Sequence, residues 1–112
     1  MTDMAWKAWE RRVAKIFGGR RRGSDTRTGG KGKTDVIVDG WSIEVKLLSR
    51  PGYSDLLNAA RQAEANADQP TDIPVAILKR KGDLDKHALV VMRLERFEEF
   101  FVNERSDNEP NP

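Results

Sequence analysis

The sequence predicts an α/β domain in which a mixed central β-sheet is flanked by helices. Three observations carry this. The N-terminal stretch repeats apolar residues at helical spacing, two β-type runs surround Asp39-Gly40, and two further apolar runs, 74–78 and 88–92, joined by a polar turn, lie between helical segments. The resulting order is α, β-hairpin, α, β, β, α, with no internal repeat.

Each element has a local reason. Trp6, Trp9, Val13, Ile16 and Phe17 recur at i, i+3, i+7, i+10 and i+11, one helical face that stops at Gly18-Gly19. Glu10 falls about 40° round the wheel from Trp6 at roughly 100° per residue, on the border of that face. Residues 18–34 hold six of the nine glycines and six basic residues against one acid, which predicts a mobile basic loop with room for a short strand at Arg20-Arg21-Arg22. Two residues, Asp39 and Gly40, form the turn of a hairpin. Val38 then opposes Trp41, Val36 opposes Ile43, and Asp35 opposes Glu44. Alternation puts Val36, Val38, Trp41, Ile43 and Val45 on one face and Asp35, Ile37, Ser42, Glu44 and Lys46 on the other.

Pro51-Gly52 breaks the chain before a second helix, roughly Ser54 to Ala67, whose Leu56, Ala59, Ala60, Ala63 and Ala67 form a small-residue stripe suited to close packing on a sheet. The runs 74–78 and 88–92 read as central strands with both faces covered. A last helix carries Leu94, Phe97, Phe100 and Phe101. Two uses of that stripe stand side by side: packing into the domain's own core, the plainer reading, or serving as a dimer surface. The domain spans 1–102, and the polar tail 103–112 is expected to be disordered.

At 112 residues the chain has one thin core, so oligomerisation would add to its stability. Without cysteine, a disulfide scaffold, a cysteine zinc site and a thiol nucleophile are excluded; with His87 as the single histidine, so is a multi-histidine metal site. Metal chemistry must then use oxygen ligands. No apolar run approaches the ~20 residues that span a bilayer, and MTDMAWKAWE is too charged for a signal peptide, so a cytoplasmic protein with no membrane partner is expected. The net charge of +2 divides unevenly: residues 1–50 hold 12 basic and 6 acidic side chains, residues 51–112 hold 8 and 12. The basic half points to a polyanion.

Two carboxylates opposed across a hairpin have Cβ atoms about 4.5–5.5 Å apart and repel each other. A divalent cation between Asp35 and Glu44 would turn that repulsion into coordination, and Mg²⁺ with phosphate oxygens completing its shell suits such a site. Lys46 projects from the same face, where an ammonium can position a water or stabilise charge on a phosphate. The bland alternative is a solvated face carrying two acids and a lysine.

The pattern Asp35-x8-Glu44-x-Lys46 on a hairpin, preceded by a helix bearing Glu10, resembles the PD-(D/E)xK nuclease superfamily over roughly residues 4–80. Within it, the size, the Glu10-Arg11 pair and the Gly/Arg-rich loop are similar to Holliday junction resolvases of archaeal type, phage-encoded relatives included. Thr34 stands where the motif's name has Pro. The resemblance implies a restriction-endonuclease-like fold, with Asp35 and Glu44 as metal ligands, the Val45 backbone carbonyl as a third, and Glu10 completing the acidic cluster. It further implies that Lys46 assists the attacking water and that a loop hydroxyl, best matched by Ser24, contributes to catalysis. Gln62 matches a helix glutamine of many members. The implied cofactor is Mg²⁺, with Mn²⁺ as substitute. The implied partners are four-way or otherwise branched DNA and a second copy, giving a homodimer with two active sites.

Arg11, Arg20, Arg21, Arg22, Arg27, Lys31 and Lys33 are the candidate DNA-binding residues, contacting phosphates. Trp6, Trp9 and Trp41 are expected in the core, and His87 in a structural place. Two alternatives remain: another small nuclease of the superfamily that cuts flaps or nicks, and a non-catalytic DNA-binding module. The second gains nothing from Asp35 facing Glu44.

Overall fold

The computed structural model describes residues 2–22 and 34–103, with side chains from Ala5. It is a mixed α/β structure. Helix α1 (Thr2–Phe17) leads to β1 (Arg20–Arg21), β2 (Val36–Ile37) and β3 (Trp41–Leu48); α2 (Tyr53–Ala65) crosses to β4 (Ile73–Arg80). A 3₁₀ turn (Asp85–His87) precedes β5 (Leu89–Val91), and α3 (Leu94–Phe97) continues as a π-helical turn (Glu98–Val102). The five strands lie in the order β1-β2-β3-β4-β5, antiparallel except for the β3–β4 pair that α2 joins. A parallel pair needs such a crossover.

The hairpin turn is as the spacing predicts. Trp41 N–H donates to the Val38 carbonyl at 3.1 Å, Gly40 takes φ +84°, and Val36 pairs with Ile43. The alternation along β3 also holds, but both faces are covered. The odd face, Ile43 and Val45, packs with Val36, Val75 and Ile77 under Trp9, Val13 and Ala14 of α1. On the even face Ser42 is fully buried and its hydroxyl donates to the Ala63 carbonyl. Alanines at 59, 60 and 63 let α2 come that close.

α1 departs from the predicted stripe in two places. Ile16 is 71% exposed because it lies about 90° from the centre of the face that Trp9, Val13, Ala14 and Phe17 define, at roughly 100° per residue. Trp6 lies on the face but is 41% exposed, one turn before Trp9, with the Arg21 guanidinium 5.4 Å from its ring. Glu10, expected at the border, sits well inside the buried face. Trp9 anchors the helix: its indole N–H donates to the Lys46 carbonyl at 3.1 Å.

The helix ends where the glycines predict. Gly18 takes φ +73°, and a Cβ on Gly19 would stand 2.3 Å from the Ile37 carbonyl oxygen and 2.4 Å from a Val38 methyl. The described backbone reaches Arg22 and resumes at Thr34, and the rest of the expected basic loop lies outside the described residues. Gly19→Ala must push β2 from α1, and a loss of about 2 kcal/mol is expected. Thermal unfolding should show a fall of roughly 10 °C.

Two further expectations change. β5 is an edge strand with Leu89 and Val90 largely exposed, so of the two apolar runs only the one in β4 is central and covered on both faces. The C-terminal helix does not enter the core: Leu94, Phe97 and Phe101 are exposed, and it packs substantially on no other element. Asn103 is still helical, and the rest of the tail lies outside the described residues. No helix among them is long and apolar enough to cross a membrane.

Candidate functional site

Asp35 sits at a bend immediately before β2. Its N–H donates to the Ile43 carbonyl (3.1 Å) and its carbonyl accepts from the Arg22 N–H (2.9 Å). Ile43 is already the partner of Val36, so the ladder stops there and Asp35 is not placed opposite Glu44 by strand pairing. The predicted register holds at Val36 and Ile43, and only the expected Asp35–Glu44 pairing is corrected. The two carboxyls meet by another route, because Asp35 reaches along β3 and its Oδ2 accepts the Val45 N–H at 2.8 Å. This brings it close enough to hydrogen-bond the Glu44 carboxyl.

Glu44 points from the even face of β3 toward the end of α2, where it is 3% exposed. Its Oε1 accepts from Asn66 Nδ2 at 2.8 Å. Burial pushes its carboxyl up to about 7, the neighbouring Asp35 charge and carboxyl hydrogen bond add to the rise, and the Asn66 bond and Lys46 charge oppose it. Lys46 lies on the same face, near enough to favour the ionised form. Asn66 is the site residue missed by the sequence reading. Its signal was there: it follows Ala63 by three and Ala59 by seven, a polar side chain closing the alanine stripe. Gln62, the helix residue matched by resemblance, is exposed one turn earlier.

Glu10 is buried on α1, and its Oε1 accepts from Arg21 Nε at 2.6 Å. Burial holds its carboxyl above the usual range despite that bond, and the Asp35 charge raises it further. Asp35 thus feels an acid on each side. Arg21, a candidate phosphate contact, is here the counter-ion of a buried carboxylate. Arg21→Ala should cost about 2 kcal/mol, below the 3–5 of a fully buried pair because Arg21 is partly exposed. Adding Glu10→Gln should recover most of it, a coupling that a double-mutant cycle in urea measures.

The other expected DNA contacts divide. Arg22 Nε donates to the Thr34 carbonyl at 2.7 Å, while Arg11 and Arg20 are exposed. Ser24, Arg27, Lys31 and Lys33 lie outside the described residues. Trp9 is in the core, Trp41 is half-buried with its ring edge-on to Phe17 at 5.5 Å, and His87 is exposed at the end of the 3₁₀ turn.

Among the described residues no three His, Cys, Asp or Glu side chains form a metal-holding group. The arrangement is a carboxyl pair, Asp35 and Glu44, in which the Asp35 charge helps to raise the Glu44 carboxyl, with Glu10 beside it on Arg21. Two hard-oxygen donors that repel when ionised fit a cation such as Mg²⁺, which is bound through one or two carboxylates and keeps water and phosphate oxygens elsewhere. Comparison of the chain with protein-family models, curated proteins and solved structures finds no match.

Proposed function

We propose that this protein is a metal-dependent, structure-selective DNA endonuclease of the PD-(D/E)xK type with a restriction-endonuclease-like fold, and that it resolves four-way DNA junctions in the cytoplasm as a homodimer. The observation that carries the reading is the carboxyl pair of half-buried Asp35 and buried Glu44, with Lys46 on the same face. A purely structural hairpin has no use for an acid buried against another acid, since the repulsion weakens the fold.

In this reading Asp35, Glu44 and the Val45 carbonyl hold Mg²⁺, with Mn²⁺ as substitute. Bound there, Mg²⁺ supplies charge neutralisation on the phosphoryl oxygens and lowers the pKa of water. The Lys46 ammonium orients the attacking water and stabilises negative charge on the phosphate. Asn66 fixes the direction of the Glu44 carboxylate, and Glu10 adds negative charge beside Asp35. Water adds to phosphorus, the bond to the 3′ oxygen breaks, and the products are a 5′-phosphate and a 3′-hydroxyl. The basic first half, with Arg11 and Arg20 on the surface and the basic residues Arg27, Lys31 and Lys33, tracks phosphates.

The deciding assay incubates the purified protein with labelled four-way junction, flap, linear duplex and single strand, in Mg²⁺ or in EDTA. Cleavage of the junction, in Mg²⁺ alone and faster than of the other forms, is expected. Cleavage of flaps or single nicks instead would move the reading to another nuclease of the same type, and no cleavage with Mg²⁺ or Mn²⁺ would overturn it.

A further inference from the structure

The chain carries an apolar plug and an apolar socket that do not meet. The plug is the C-terminal helix, Leu94 to Val102. It follows the edge strand β5, packs substantially on no other element, and leaves Leu94 70%, Phe97 47% and Phe101 40% exposed. The Phe97 and Phe101 rings lie 5.3 Å apart and form one knob. A helix this short falls below the ~12–15 residues at which isolated helices become even marginal in water, so something must cover its apolar side.

The socket is a cleft of about 550 Å³ between the first half of α2 and the segment joining β5 to α3. Leu56, Leu57, Ala60 and Met92 line it, and Arg61 stands in its wall. Leu94 borders the cleft from its own helix, whereas Phe97 and Phe101 do not line it. Charges match as well. Glu98 follows Phe97 on the helix, and among the described residues neither Glu98 nor Arg61 has an ion-pair partner.

We infer that the occupant of the cleft is a second copy of this chain: the C-terminal helix of each copy lies in the α2–β5 cleft of the other, Phe97 and Phe101 inside and Glu98 against Arg61. An isologous twofold contact satisfies plug and socket twice at once, which a heterologous partner would not. The exposed Leu89 of β5 lies on the same sheet face as Val91, which lines the cleft. The inference gives the proposed homodimer its interface and does not depend on the proposed chemistry, so either can fail alone.

Sedimentation equilibrium of the full chain across micromolar concentrations should give twice 12.7 kDa. Phe97→Glu with Phe101→Glu changes only exposed side chains, so a monomer with the wild-type circular dichroism spectrum is expected. Glu98→Arg should weaken the dimer about fivefold, and Arg61→Glu in the same chain should restore it. A wild-type monomer at every concentration would assign the helix to a different partner and overturn the inference. So would a dimer indifferent to the Phe97 and Phe101 changes, or a charge reversal without recovery.

Discussion

Glu44→Gln is expected to remove Mg²⁺-dependent junction cleavage by about a thousandfold or more while leaving junction binding within about twofold. The first figure corresponds to the several kcal/mol that a metal contributes to a phosphoryl transition state, at 1.36 kcal/mol per tenfold. The second follows because affinity comes mainly from phosphate contacts away from the acids. Glutamine keeps the shape of the side chain, and its amide oxygen can still accept from Asn66, so loss of fold does not confuse the result. Asp35→Asn should act alike, although it also weakens an acceptor for the Val45 N–H. Single-turnover cleavage and gel-shift titration measure the two quantities. Undiminished cleavage by Glu44→Gln would remove the proposed site.

Without metal, the stability of the protein should fall as pH rises from about 4.5 to about 7, by on the order of 3 kcal/mol from Glu44. The sign follows from proton binding. In that window the folded Glu44 keeps its proton while the unfolded one has lost it, so the folded state binds more protons and each step up in pH favours unfolding. Above about 7 both states are ionised and the term is constant. Glu10, also raised, contributes in the same direction. Urea unfolding at pH 5 and pH 8 measures the difference, and Glu44→Gln should abolish most of it. Added Mg²⁺ should stabilise the wild type at pH 8 and have little effect at pH 4.5, where protons compete for the same oxygens. A wild-type stability that rises between pH 5 and 8 and is unchanged by Glu44→Gln would mean that the two carboxyls do not meet.

Much of this arrangement was legible because it is local. The helical period of α1, the period of two in β3, the Asp39-Gly40 turn and the alanine stripe of α2 each involve neighbours within a few residues, and together they imply a mixed sheet flanked by helices. The same periodicity set Glu44 and Lys46 on one face and set Val36 opposite Ile43, as observed. The chain's own residues thus determined the element types, the hairpin register and the candidate acids.

Tertiary structure decided the rest, because burial and pairing depend on what another part of the chain brings near. The bend that frees Asp35 from the ladder is held by the Ile43 carbonyl and the Arg22 amide. Glu10 becomes a buried ion-pair partner only because β1 carries Arg21 to it, and Asn66 touches Glu44 only because α2 packs close enough for its last residues to reach β3. Likewise the apolar runs 88–92 and 94–101 have the composition of core elements, yet strand order leaves β5 at the edge and its helix without cover. Hydrophobicity states that a surface is to be buried. Which surface buries it is settled by topology, and strand order leaves the apolar side of the C-terminal helix exposed on the single chain.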